Sequence, residues 1–214
     1  DVVAKAAPDG YTLLAASSGP ITVSPLLQPT PYNVDKDLTF IAMAGLSPYL
    51  LVTAPDFPVK NAAEFVALVK ANPGKYTFAS SGTGATAHLI CEAFNARAGL
   101  KAVHVPYKGS GPALADLLGG QVHMQFSGLP PLLPLIKSGK LRALAVSSKR
   151  RLAVLPNVPT LAESGLAGFA TSQWQGIVAP KEGQKLKWVY AKELRDYPMP
   201  AADIPLIPIL RDWL

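Results

Sequence analysis

Short apolar runs alternate with small polar loops through the middle of the chain, in lengths that fit a strand, a turn and a helix in succession. The first triplet is a strand over 76–79, the loop Ser80, Ser81, Gly82, Thr83 and Gly84, and a helical run from Ala85 through Thr86 and His88. The second is a strand over 102–105, the loop Pro106, Tyr107, Lys108, Gly109, Ser110 and Gly111, and a helix over 112–118. The third is a strand over 122–126, then Ser127 and Gly128, then a helix over 130–137. Strands are also predicted at 11–15, ended by Ser17, Ser18, Gly19 and Pro20, at 40–44 and 49–53 with no helix between them, at 142–146 and at 173–180. Asn61 with Glu64 three residues on is a capping-box pattern and predicts a helix to about Ala71, closed by Pro73 and Gly74.

The remaining segments are less regular. Prolines make 21–38 irregular with one short helix, and 149–168 reads as loop with a short helix near 160–163. A helix fits 186–194, after which Pro198, Pro200, Pro205 and Pro208 break the chain into pieces. Strands alternating with helices predict an α/β fold with a mainly parallel sheet. Loops at the carboxyl ends of such strands converge on one crevice, where open sheets bind ligands, so the chain reads first as a small-molecule binder.

Composition narrows the function classes. At 214 residues, 49% hydrophobic and 16% charged, the chain has the apolar material for a packed core, and no apolar run approaches the ~20 residues of a membrane helix. The start of the sequence lacks the pattern of a secretory signal. One cysteine, Cys91, excludes an internal disulfide or a cysteine metal cluster, and its apolar helical setting predicts a small buried hydrophobe. His88, His104 and His123 have no zinc-pair spacing, so neither a metal nor a cofactor is expected. The net charge of +6 concentrates between Arg97 and Arg151, where nine Lys and Arg face the single acid Asp116. That pattern fits either a solvated basic face or the steering of anions. Nucleic acid is not expected as a partner, because no base-stacking aromatics or helix-turn-helix pattern accompany the charge.

The loop from Ser80 to Thr86 supplies two glycines, three hydroxyls before the helix and a helix N-terminus, a combination suited to a carboxylate or phosphate. A plain N-cap turn would also explain it. It lacks the ending of a Walker loop and completes no dinucleotide fingerprint. In the second loop Ser110 or Gly111 is expected to cap the helix, with Pro112 in its first turn. Tyr107 offers an amphipathic wall, and Lys108 is either a cationic contact or an exposed lysine. No serine stands in a nucleophile elbow. His88, one turn past Gly84, is expected to orient the loop rather than act as a base, since acids are scarce nearby.

Ordered along 1–180, several motifs resemble the substrate-binding proteins of tripartite tricarboxylate transporters, the Bug or TctC-like family. They are Ala7-Pro8-Asp9-Gly10-Tyr11-Thr12-Leu13-Leu14, the segment 76–89, His104-Val105-Pro106-Tyr107-Lys108-Gly109-Ser110-Gly111-Pro112, Leu117-Leu118-Gly119-Gly120-Gln121-Val122, Gly139-Lys140-Leu141-Arg142-Ala143-Leu144-Ala145-Val146, Leu155-Pro156-Asn157-Val158-Pro159-Thr160 and Trp174-Gln175-Gly176-Ile177-Val178-Ala179-Pro180. The resemblance implies a periplasmic-binding-protein-like (type II) fold of two α/β domains closing on a small carboxylate. Residues 1–53 would begin the first domain, 54–172 form the second, and 173–214 return to the first with a divergent tail. It implies a periplasmic, non-enzymatic monomer whose partners are the membrane permease subunits. Ligand contacts would come from Ser17, Ser18 and Gly19 in the first domain. In the second they would come from Ser80, Ser81, Gly82, Thr83, Gly84, Ala85, Thr86, His88, Tyr107, Lys108 and Ser127. Ser127 stands where the family often has an acid, which argues against an amino-acid ligand. The family's first strand and loop are expected upstream of Asp1, so the chain reads as a fragment. A ligand sensor of the same fold acting on a signalling partner, an enzyme on a similar sheet, or a fragment without a working site are the alternatives.

Overall fold

The structure, a computed structural model, describes residues 1–181; the helix expected over 186–194 lies outside them. The chain divides into two compact units, Asp1–Leu46 with Trp174–Leu214, and Ser47–Gln173. Among the described residues, no helix is long and apolar enough to cross a membrane.

The first unit contains strand β1 (Leu14–Ser17), a π-helical turn Gly19–Val23, and the short helices α1 (Ser24–Leu27) and α2 (Val34–Asp37). It also contains the first part of β2 (Leu38–Thr53) and most of β7 (Ser172–Pro180). β1 pairs antiparallel with β7, from Leu14 opposite Val178 to Ser17 opposite Gln175. It begins three residues later than the apolar run suggests, because the Asp9 carboxylate accepts the Tyr11 N–H at 3.0 Å and carries the turn past Gly10. Ala16, Ile21, Leu38 and Val178 form this unit's core, with Trp174 and Phe40 packed against it edge to face at 6.0 Å. Two prolines and a short polar stretch keep the helices of this unit to one turn each, and there are two where one was expected in 21–38.

The second unit is a three-layer α/β sandwich. Its elements are α3 (Ala62–Ala71), β3 (Thr77–Ser80), α4 (Thr86–Ala98), β4 (Val103–Pro106), α5 (Ser110–Leu118), β5 (Met124–Gly128), α6 (Leu129–Lys137) and β6 (Arg142–Val146), with the second part of β2. β3 is parallel to both β4 and β5, while β2 pairs antiparallel with β5 on one side and β6 on the other. Four of the five strands therefore run the same way, and β2 is the reversed one. The core alternates by strand face. Leu51, Phe78, Met124 and Phe126 meet α3 and α4 through Phe65, Val69, Ile90, Cys91 and Phe94, whereas Leu50, Val52 and Ala79 meet α5 and α6 through Ala113, Leu117 and Leu132. Leu50, Leu51 and Val52 are fully buried in succession, as a strand covered on both faces must be.

Two sequence expectations change here. The strands expected at 40–44 and 49–53 are one 16-residue strand; Pro48 lies just outside the ladders with β5 and β6, which begin at Tyr49 and Leu50, and its missing N–H interrupts neither. The short helix expected near 160–163 is a capped turn only. Thr160 Oγ1 accepts the Glu163 N–H at 3.0 Å and the Glu163 carboxylate accepts the Thr160 N–H at 2.7 Å, but Leu161 N–H bonds the Val146 carbonyl and holds the segment against β6. The capping box at Asn61 and Glu64 starts α3 as predicted: Asn61 Oδ1 accepts the Glu64 N–H at 2.9 Å and Glu64 accepts the Lys60 N–H at 2.7 Å.

Candidate ligand-binding site

Parallel register brings the carboxyl ends of β3, β4 and β5 to one edge of the second unit, with Ser80 opposite Pro106 and the loops 81–85, 107–109 and 128 above them. Each loop leads into a helix, and all three helices begin without a side-chain cap. The N-cap of α4 is Ala85, that of α5 is Gly109 and that of α6 is Gly128. Ser110, expected to cap α5, is instead its first residue, because Gly109 at φ 107° makes the turn that a side chain would strain. By contrast α2 and α3 are capped by Asn33 and Asn61. First-turn amides have no carbonyl behind them in the helix, so three helix termini aim N–H groups and positive dipole ends at the same edge.

The loop after β3 is sewn in place by its neighbours. Tyr107 N–H donates to the Ser80 carbonyl at 3.0 Å and Gly109 N–H to the Ser81 carbonyl at 3.1 Å. Within the loop, the Ser80 hydroxyl donates to the Gly82 carbonyl at 3.0 Å, accepts the Gly82 N–H at 3.2 Å and shares a 2.6 Å hydrogen bond with His104 Nε2. Gly82, at φ 140°, brings its Cα to a place where an added Cβ would be 3.5 Å from the Tyr107 carbonyl. Gly84 N–H donates to His88 Nδ1 at 3.1 Å, which ties His88 to the loop. His88 stacks on His104 with centroids 3.9 Å apart and 13° between planes, and His104 stacks on Phe78 at 4.8 Å and 19°. Burial, and then the neighbouring His88 charge, lower the His104 pKa to about 4.

A serine bonded to a histidine is the beginning of a nucleophile pair, but this one is built differently. Ser80 is fully buried and its oxygen is used inside its own loop, while His104 lies between two rings and is a weak base. The pair shapes the loop. Ser81 and Thr83, on the outer side of the same loop, are half-buried and exposed, respectively. Tyr107 does not stand open as a wall: its hydroxyl donates to Asp116 at 2.6 Å, and that carboxylate, with some burial, pushes the phenol up to about 12. Lys108 is exposed. Ser127 is buried on β5, paired in the ladder opposite Leu50. Ser17 ends β1 in the first unit, and Ser18 and Gly19 open the π-helical turn that follows.

Three arginines of the basic stretch between 97 and 151 are engaged with other partners, while Lys108 lies on the second loop. The Arg97 guanidinium donates to the Ala167 carbonyl at 2.8 Å, Arg142 to the Phe57 and Val59 carbonyls, and Arg151 to Glu163 and the Pro156 carbonyl. The Thr160 amide, and then Arg151, hold the Glu163 carboxyl below its ordinary range. Among the described residues, no three His, Cys, Asp or Glu come together as metal ligands.

Two residues at this edge were not singled out by the sequence. His104 is placed beside Phe78 once the loops at 80 and 106 are aligned, since Phe78 is then opposite His104 in the parallel register. Tyr49, on β2, donates its hydroxyl proton to Gln173 at the start of β7. No motif marks it, because its partners are far away in sequence.

Comparison with known proteins gives the chain its place. It is 45% identical over 183 residues to the protein BugT of Bordetella pertussis, covering 85% of this chain and 56% of the relative. Among solved structures, an R. palustris protein with adipate superposes with a TM-score of 0.82 at 30% identity, and MatC from Rhodopseudomonas palustris with bound malate with 0.78 at 30% identity. Each match covers 99% of this chain, and 65% and 66% of the respective structures. The chain thus spans about half the length of its curated relative and somewhat under two thirds of these structures. With residues 1–194 matching the family described as the tripartite tricarboxylate transporter family receptor, the chain belongs to that family of periplasmic-binding-protein-like, α/β receptors.

Proposed function

We propose that the chain is the ligand-holding part of a periplasmic receptor that captures a small organic carboxylate and passes it to the membrane permease of a tripartite tricarboxylate-type transporter. One observation carries the reading: three helices enter the same sheet edge with their N-termini uncapped, while the capped helices lie elsewhere. An anion with two or more oxygens matches that array of amides and dipole ends, and a cation does not. The solved relatives with adipate and malate support a dicarboxylate in particular.

On this reading Ser81 and Thr83 add hydroxyl donors, the first turn of α4 supplies amides, and Lys108 lends a long-range positive charge. Ser80, Gly82, Gly84, Ala85 and His88 hold the loop in shape. Tyr107 fixes the second loop through Asp116, and Ser127 closes the edge beneath α6. The protein works by binding and release, without catalysis, and as a monomer.

A thermal-shift screen against di- and tricarboxylates, aromatic carboxylates and amino acids tests this. Only binding to the folded state raises the midpoint, so a concentration-dependent rise with one carboxylate class is expected. Ser81→Leu and Thr83→Leu should each lose that rise while keeping the unliganded midpoint. A cooperative transition that no carboxylate moves, or full affinity in both folded variants, overturns the assignment.

A further inference from the structure

Among the described residues, Gln125 is the largest polar side chain in the fully buried core, at 1% exposure. Strand register fixes the face it takes. Met124 and Phe126, on either side of it in β5, belong to the core under α3 and α4, so Gln125 turns to the opposite face. It stands opposite Val52 of β2 and Ala79 of β3, and both belong to the core under α5 and α6. Ser127, two residues on and opposite Leu50, takes the same face and is also buried.

That face is otherwise built from side chains such as Leu50, Val52, Ala79, Ala113, Leu117 and Leu132, which offer no hydrogen bond. Gln125 Oε1 is accordingly buried with no partner in the protein. The head of α6, which follows β5, cannot donate from its second and third residues, because Pro130 and Pro131 have no N–H. Thr53 Oγ1 and Asn95 Oδ1 are unmatched as well, but Asn95 is anchored by its Nδ2 on the Ala102 carbonyl at 3.2 Å and Thr53 stands at the end of β2. Gln125 lies mid-strand between two ladders. A carboxamide placed there gives up its hydrogen bonds to solvent on folding and regains none at this oxygen from the protein, a loss that folded proteins avoid by keeping a water beside the group. Ala79, its neighbour across the β3 ladder, carries a single methyl and leaves space that a larger side chain would fill. We propose that the α5/α6 face of β5 holds an internal water site, in which one water donates to Gln125 Oε1 and bonds the Ser127 hydroxyl on its other side. A carboxamide and a hydroxyl, both uncharged, suit a neutral molecule of this size and give an ion no countercharge. The site does not depend on the carboxylate reading, and it is tested without a ligand.

Nuclear magnetic resonance of the full chain tests it. The side-chain NH2 pair of Gln125 is the pair missing from Gln125→Met; should that variant fail to fold, through-bond assignment of the wild type identifies the pair instead. Cross-relaxation between this pair and water should have opposite signs in the laboratory and rotating frames, which marks a bound water and not proton exchange. Ser127→Ala removes the second partner and should lose that signal while the NH2 pair stays in place. A crystal structure should show the water at about 2.7–3.2 Å from Oε1. A Gln125 pair without cross-relaxation to water, or a dry carboxamide in the crystal, overturns the proposal, and an unchanged signal in Ser127→Ala overturns the bridge. Carboxylates that fail to shift the thermal midpoint would remove the functional reading above and leave this result as it stands.

Discussion

Replacing His104 with glutamine puts the histidine stack to a quantitative test. The ring is sandwiched between Phe78 and His88 with Nε2 on the Ser80 hydroxyl, and its pKa in the fold is lowered from 6.5 to about 4. The unfolded chain therefore takes up this proton first as pH falls. Stability from the neutral ring is complete above about 6.5, is lost between about 6.5 and about 4, and does not fall further on this account below that window. Holding the ring neutral over the whole window corresponds to about 3 kcal/mol at most. Solvent screening at a ring that is only partly buried reduces this to about 1–2 kcal/mol. Glutamine keeps a planar amide and an N–H that can reach Ser80, but does not titrate. Urea unfolding between pH 7.5 and 4.5 should give the wild type a loss larger by about 1–2 kcal/mol than His104→Gln. His123, whose pKa is also lowered, and the carboxylates act in both proteins and cancel in the difference. Parallel pH profiles for the two proteins would refute the reasoning.

Two further outcomes follow from packing. Gly176→Ala should destabilise the chain by about 1–3 kcal/mol, because a Cβ there would be 2.7 Å from the Ala42 carbonyl oxygen, whereas Gly45→Ala, with open space around it, should be tolerated; urea midpoints compare them, and equal midpoints would remove the close approach. Cys91 is fully buried with its thiol pKa pushed up by burial, so a thiol reagent at mildly alkaline pH should react only as fast as the protein opens, and at once in concentrated urea; rapid reaction of the folded protein would contradict that burial.

Local chemistry made the second unit readable from its sequence. The strands before Ser80, Pro106 and Gly128 are short apolar runs ended by residues that turn, and the helices after them carry their own periodicity, so order and edge both followed. The Asn61 cap could be read because both of its partners lie within four residues. What escaped depends on contacts that cross the chain. β2 is one strand because it pairs with β7 as well as with β5 and β6, and nothing local at Gly45 or Pro48 says so. The capping box at Thr160 was visible, but the bond from Leu161 to Val146 that denies it a helix was not. At the site, the glycines and hydroxyls were legible as a loop for an anion. The division of labour within it was not, since Ser80 turns inward only because His104 arrives from the next strand.

The aromatic sandwich has a consequence for how the protein can be watched in solution. His104 lies face to face with one ring on either side, at 3.9 Å and 4.8 Å. Circulating π-electrons shield nuclei above and below a ring plane, so the carbon-bound protons of His104 should resonate upfield of an ordinary histidine. With only three histidines in the chain, that signal stands apart and reports whether the loop after β3 is assembled, with no label attached and no ligand needed.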